Sequence, residues 1–298
     1  MKNKLMRLLL IGLMVSAMLL GCNQKTEEKQ ASQKDQTTTV TDTDSETESK
    51  ADPVTIEEQV LIDEAGIKIT AQKFVTDGEW GNGVELLVEN NTEQEAGIGC
   101  KALIVNNCMI DNMLLATVPA GETITETLWL ADRFLNVTGI KTVGQVEVKF
   151  FVYDKETLTS LITNDFVTIQ TSAYADMEPV KAPEGTVLFE DQGVRILGNY
   201  STDDPLYGSA VVLFVENQSD RNLNVLSTDV TVNDTPISSM CSGSVFKDKV
   251  SYYRLPIDLE ELKGQGITDL NEIGIQFSFM DVDSGLMIAG PVDAVLEL

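Results

Sequence analysis

Apolar side chains recur at every second position over long stretches of this chain. Val146, Val148, Phe150 and Val152 alternate with Glu147, Lys149, Phe151 and Tyr153. Ile273, Ile275, Phe277 and Phe279 alternate in the same way with Gly274, Gln276, Ser278 and Met280. A period of two is the mark of a strand with one buried face. Val84, Leu86 and Val88 form a second such face, matched by Val211, Leu213 and Val215. Asn106-Asn107 and Asn233-Asp234 fall between β-rich runs, where a two-residue hairpin turn needs positive φ. Asp283-Ser284-Gly285 reads as another hairpin turn. A short helix is predicted near 132–138 and again near 258–264, where Leu259-Glu260-Glu261-Leu262 has helical character.

These features come in pairs because the chain repeats itself at an offset of 127 residues. Val60-Leu61 returns as Val187-Leu188, Val88-Glu89-Asn90 as Val215-Glu216-Asn217, and Val105-Asn106 as Val232-Asn233. Gly139-Ile140 returns as Gly266-Ile267, Phe150 as Phe277, and Asp154 as Asp281. The register holds without a gap from 60–171 to 187–298, with about a fifth of positions identical. Each copy is long enough to bury its own core, so the reading is two complete domains rather than a solenoid. Seven or eight short strands per copy with a single helix argue for an antiparallel sandwich.

Ahead of the repeats the pattern changes. Gln24 to Lys50 is almost entirely Lys, Glu, Gln, Ser, Thr and Asp, without an aromatic residue, and cannot bury enough apolar surface to fold. Before it, Lys2, Lys4 and Arg7 precede an apolar run from Leu8 to Leu20. That run is shorter than the ~20 residues of a membrane-spanning helix and reads as the apolar core of a signal peptide. It ends in Leu19-Leu20-Gly21-Cys22, which resembles the lipobox of bacterial lipoproteins. The resemblance implies an acylated Cys22 at the mature N-terminus and a protein held on the extracytoplasmic face of the cell membrane. The expected organisation is a lipoprotein signal over 1–21, a lipidated cysteine and disordered tether over 22–56, repeat 1 over 57–171, a linker over 172–186, and repeat 2 over 187–298.

Composition narrows the chemistry. The signal takes three of the 21 Lys plus Arg, leaving 18 against 47 Asp plus Glu, a net charge of −29. Such a balance repels phosphate backbones and argues against nucleic acid as a partner. There is no histidine, which removes Ser-His and Cys-His nucleophiles and the commonest zinc ligand. No phosphate-binding glycine loop or nucleophile elbow is present, so neither an enzyme nor a cofactor is expected. Cys100, Cys108 and Cys241 remain once Cys22 is set aside, an odd number that cannot complete a disulfide framework. Cys100 and Cys108 flank the Asn106-Asn107 turn on opposite faces, which predicts free thiols; a longer turn, or pairing with Cys241, is the alternative.

The recurring motifs carry a family resemblance. Each copy has an early strand opened by an acidic residue and a glycine, Glu64 and Gly66 in the first and Asp191 and Gly193 in the second. A strand ending in Glu-Asn-Asn-Thr or Glu-Asn-Gln-Ser follows, then a Val-Asn turn, a Leu-x-x-x-Gly-Ile helix end and a late Phe-rich strand. This is similar to the tandem immunoglobulin-like domains of surface lipoproteins in Gram-positive bacteria. The resemblance implies two immunoglobulin-like β-sandwiches and brings no catalytic residues with it. Candidate ligand contacts lie in the loop from Asp77 to Gly83, where Trp80 and the equivalent Tyr207 each stand between two strands beside carboxylates, Asp77 and Glu79 among them. An exposed aromatic there would stack on a sugar or grip a peptide; the alternative is an aromatic folded over the sandwich rim. Asp77, Glu79 and Asn82 lack EF-hand spacing and are read as turn chemistry, not as a metal site. The face carrying Cys100, Ala102 and Ile104 is apolar where repeat 2 has Ser227, Asp229 and Thr231. Either that face meets the other domain or a partner, or a local register change buries it. The expected role is a non-catalytic binding or adhesion module for a protein or glycan. An accessory subunit of an envelope complex, or less readily a solute-capture component, is the alternative.

Overall fold

The computed structural model describes residues 53–298. The signal segment, Cys22 and nearly all of the tether therefore lie outside the described residues. Among the described residues no helix is long and apolar enough to cross a membrane.

The first repeat runs β1 (Gln59–Glu64), β2 (Ile67–Gly78), β3 (Gly81–Asn90), β4 (Ala96–Val105), β5 (Cys108–Ile110), β6 (Leu115–Val118) and β7 (Thr123–Ala131), then a short helix α1 (Asp132–Leu135), and ends with β8 (Gln145–Asp154), β9 (Ser160–Thr163) and β10 (Val167–Gln170). The second runs β11 (Thr186–Asp191), β12 (Val194–Asp204), β13 (Gly208–Asn217), β14 (Leu223–Val232), β15 (Thr235–Pro236), β16 (Cys241–Val245) and β17 (Lys249–Pro256), then α2 (Leu259–Gly264), β18 (Glu272–Asp281) and β19 (Met287–Glu297). Short edge strands take each repeat beyond the expected seven or eight. The period-two runs behave as their pattern dictates: β8 and β18 alternate buried and half-buried residues from end to end. Asn106, Asn107, Asn233 and Asp234 all have positive φ, between 47° and 70°, and close two-residue hairpins.

Each repeat is an antiparallel sandwich. In repeat 1, the sheet β1-β2-β3-β7 packs on β10-β8-β4-β5; in repeat 2, β11-β12-β13-β17 packs on β15-β14-β18-β19. The two cores are separate. One is built from residues between Leu61 and Ile169, around Phe150, and the other from residues between Leu188 and Leu296, around Phe277. The fold is all-β, with two immunoglobulin-like sandwiches.

The repeated asparagines are buried pins as much as turn formers. Asn90 is 1% exposed. Its Nδ2 donates to the carbonyls of Gln94, Val118 and Pro119, while its Oδ1 accepts from the amide and hydroxyl of Thr92. Asn217 repeats the arrangement with Arg221, Val245 and Ser219. Buried polar groups persist only when satisfied in this way. Asp154 and Asp281 hold equivalent turns, accepting from the amides of Thr157 (2.8 Å) and Ser284 (2.7 Å). Those amide hydrogen bonds are the main reason both carboxyls are held below the usual carboxylate range.

The repeats are fused by backbone. β5 of repeat 1 pairs in parallel with β17 of repeat 2, Cys108 opposite Val250 and Met109 opposite Ser251, so that two four-stranded layers become one long sheet. Side chains seal the seam. Ala102, Ile104 and Met109 are buried with Phe166 and Phe246, whose rings meet edge-on at 5.7 Å. Lys249 Nζ reaches Glu147 at 2.8 Å, both side chains being largely buried. Both readings of the Cys100–Ile104 face are therefore part of the answer. A bulge between Cys100 and Ala102 turns Cys100 into its own core and leaves Ala102 and Ile104 facing the neighbouring repeat. Repeat 2 has the matching irregularity between Thr228 and Thr231, which buries Ser227 and leaves Asp229 exposed.

Candidate functional site

Two hairpin tips carry the aromatic candidates. The β2–β3 tip presents Trp80 and the β12–β13 tip presents Tyr207, 45% and 53% exposed respectively. The first tip folds as it does because Gly81 has φ 107° and packs on the Asp132 carboxylate, where a Cβ would collide. Asp77 takes a left-handed φ of 53°, and both Asp77 and Glu79 point into solvent. In the second tip Asp204 does the work instead, its Oδ1 accepting from the amides of Leu206 and Tyr207, both at 3.0 Å.

Sequence alone gave no sign that these tips are connected. The Trp80 carbonyl accepts from the Asp132 amide at 2.9 Å. Next along, the Arg133 guanidinium lies 5.8 Å from the Trp80 ring centroid and 4.7 Å from that of Phe134, within cation–π range. The Arg133 carbonyl accepts from Arg254 Nη2 at 3.0 Å, and Arg254 Nε pairs with Asp204 Oδ2 at 2.6 Å. Arg254 and Asp204 are buried, 7% and 2% exposed at the side chain, and so form a desolvated charge pair, with one further guanidinium donor spent on the Arg133 carbonyl. A continuous run of contacts thus joins Trp80 to Tyr207 through Arg133, Arg254 and Asp204. Asp111, which follows β5 and reaches solvent, has its carboxyl raised above the usual range by desolvation; the charges of Arg254 and then Arg133 oppose that rise. The arginines could have been singled out only as two of few cations in an acidic chain, since nothing in their spacing points to each other.

What the site offers chemically is two aromatic faces and nearby carboxylates, Asp77 and Glu79, on a braced base. Among the described residues no group of three or more His, Cys, Asp or Glu side chains is placed to hold a metal ion. Cys100, Cys108 and Cys241 are unbonded. Burial pushes the thiols of Cys100 and Cys108 up to about 12 and that of Cys241 to about 11, far from the depressed values of reactive cysteines. A cleft of about 640 Å³ lies apart from the tips, against the linker, with Lys141, Lys181 and Tyr252 on its walls.

No family model matches the chain, and no curated protein matches it. The likeness to solved structures is weak. A red sea bream transglutaminase has 10% identity and a TM-score of 0.20, over 82% of this chain and 31% of that one. A protein of unknown function from Porphyromonas gingivalis has 11% identity and a TM-score of 0.19, over 83% of this chain and all of that one. The chain thus spans about a third of the transglutaminase, and scores this low carry no argument about fold or activity.

Proposed function

We propose that this protein is a lipid-anchored, extracytoplasmic binding module that engages a protein or glycan through the paired Trp80 and Tyr207 tips. The observation that carries the reading is the exposure of two aromatics at equivalent hairpin tips. A large ring left in solvent at both copies of one position is unexpected for residues serving only as core. Contacts through Arg133, Arg254 and Asp204 support it further, because a braced base lowers the ordering cost of binding. Net negative charge and the missing histidine favour binding over catalysis. The lipobox resemblance at Leu19–Cys22 supplies the anchor.

Glycan and peptide arrays probed with residues 53–298 test the tips. Wild-type signals should disappear with Trp80→Ala or Tyr207→Ala, while thermal stability stays within about 1 kcal/mol. Signals that persist in both variants, or a stability loss of ~3–5 kcal/mol as for a core aromatic, would overturn the tip reading. The anchor is tested separately by labelling cells with a fatty-acid analogue: Cys22→Ala should abolish the label, and equal labelling of wild type and variant refutes it.

A further inference from the structure

We propose that the β18–β19 hairpin of repeat 2 is a docking site for a protein segment whose apolar side chains are flanked by lysine or arginine. The hairpin exposes Val282, Leu286, Met287 and Ile288 at 37%, 65%, 56% and 41%. The first repeat shows that the fold does not require them. Its corresponding positions hold Lys155, Thr159, Ser160 and Leu161, three of them polar, in the same hairpin between β8 and β9. An apolar patch that the fold can do without is a candidate for recognition.

The patch opens into a groove of about 360 Å³ between the edge strands β11 and β19. Phe189 and Phe279, with ring centroids 4.7 Å apart, line it together with Val194, Ala289 and Val292. Repeat 1 carries Ile162 at the position of Ala289, and that side chain is 3% exposed. Repeat 1 thus inserts a branched aliphatic side chain from an edge strand where repeat 2 has only a methyl group. Phe279 and Phe189 stand where repeat 1 has Val152 and Ile62, so the groove that remains beside Ala289 is floored by two rings against which an extended segment can lay an aliphatic side chain.

Charge selects the occupant. Asp191 and Asp220 line the groove, and Asp283 sits in the hairpin turn. Arg221, the one cation lining the groove, is already paired with Asp281 at 3.3 Å and Asp220 at 3.8 Å. The rim is therefore acidic around an apolar floor, complementary to a basic, apolar segment. A second copy would set one strongly acidic chain against another, each −26 over the full sequence and −29 without the signal segment, and an anionic bilayer would be repelled in the same way.

The test is fluorescence anisotropy of a labelled peptide, Lys-Leu-Ile-Lys-Leu-Ile-Lys, titrated with residues 53–298, beside a counterpart with Glu replacing each Lys. The variant is Leu286→Thr with Met287→Ser, the residues repeat 1 uses, so neither charge nor fold should change. The expected result is binding of the basic peptide only, weakened at least about tenfold by the double substitution with an unchanged melting temperature. Equal binding by the variant would reduce the effect to general charge attraction and overturn the site. A lowered melting temperature would make the patch structural and overturn it too, as would no binding by either peptide. Vesicles of phosphatidylcholine with phosphatidylglycerol, and sedimentation at rising concentration, test the other occupants. Flotation or dimerisation that the double substitution abolishes would replace a protein segment by a lipid surface or a second copy.

Discussion

Replacing Asn90 by alanine should cost about 3 kcal/mol, and how that cost appears will show how tightly the repeats are coupled. The substitution removes three donated and two accepted hydrogen bonds. The Val118 carbonyl is buried at that contact and has no route to water, so its loss counts for about 1–3 kcal/mol. The carbonyls of Gln94 and Pro119 and the amide of Thr92 are only partly buried and add smaller amounts. If both sandwiches melt as one unit, ~3 kcal/mol lowers the melting temperature by roughly 6–12 °C. If repeat 1 melts alone, the same loss falls on about half the chain and the shift doubles to roughly 12–24 °C, leaving the second transition in place. Calorimetry with urea titration as a cross-check distinguishes these outcomes. Asn90→Asp is the sharper variant: it keeps size and the Thr92 acceptor but sets an oxygen against the Val118 carbonyl, and should cost at least as much. A loss below about 1 kcal/mol in both variants would mean that water replaces the amide, and the pin argument would fail.

Fragments 55–175 and 182–298 should each fold, since each core is built from one repeat alone, but with lower melting points because parting them uncovers Ile104, Met109 and Phe246; circular dichroism showing either fragment unfolded would contradict separate cores. Asp154 and Asp281 are held below their unfolded values near 4, so their stabilisation is complete above about pH 4 and is lost as pH falls through the folded values. Urea midpoints of an Asp154→Asn/Asp281→Asn variant should therefore fall less steeply with acid than those of the wild type, and identical slopes would remove these turns from the account. The three thiols should resist iodoacetamide in the folded protein near pH ~8, with Cys241, only partly buried, reacting ahead of Cys100 and Cys108; mass spectrometry showing Cys108 modified first would mean that the β5–β17 seam opens readily.

The strands were legible because their faces differ: Val146 to Val152 and Ile273 to Phe279 write their burial into a period of two, and the Asn-Asn and Asn-Asp pairs write the turns. The two helices were expected from the helical character of Leu259-Glu260-Glu261-Leu262 and the matching stretch of repeat 1; in the structure Asp258 caps α2 by accepting from the amides of Glu260 and Glu261, while α1 has no side-chain cap. The seam was not legible. Strand pairing between β5 and β17 uses backbone groups that every residue has, and the side chains sealing it look unremarkable one at a time. Phe166 and Phe246 are single aromatics in loops, and Lys249 and Glu147 look like surface charges until they meet across 102 residues of sequence. At the candidate site, the exposure of Trp80 and Tyr207 could be expected from their turn-rich neighbourhood. The Arg133–Arg254–Asp204 brace could not: Arg254 and Asp204 meet across β13 within repeat 2, and Arg133 reaches them from the other repeat.

That seam also sets a limit on growth. To add a third sandwich the chain would need a second copy of it, with β15 in the place of β5, yet β15 carries Pro236 where β5 carries Met109, so one backbone donor is gone. Asp229 and Thr231 replace Ala102 and Ile104 on the same side. At the opposite end, β7 presents Thr125 and Thr127 where β17 uses Tyr252 and Arg254, and Glu122 precedes it where Lys249 forms the ion pair. Both outer edges are thus finished in polar residues, like the terminal units of a repeat array. The two repeats are thus a left piece and a right piece, and neither can be exchanged, reversed or extended without rewriting the residues along one strand.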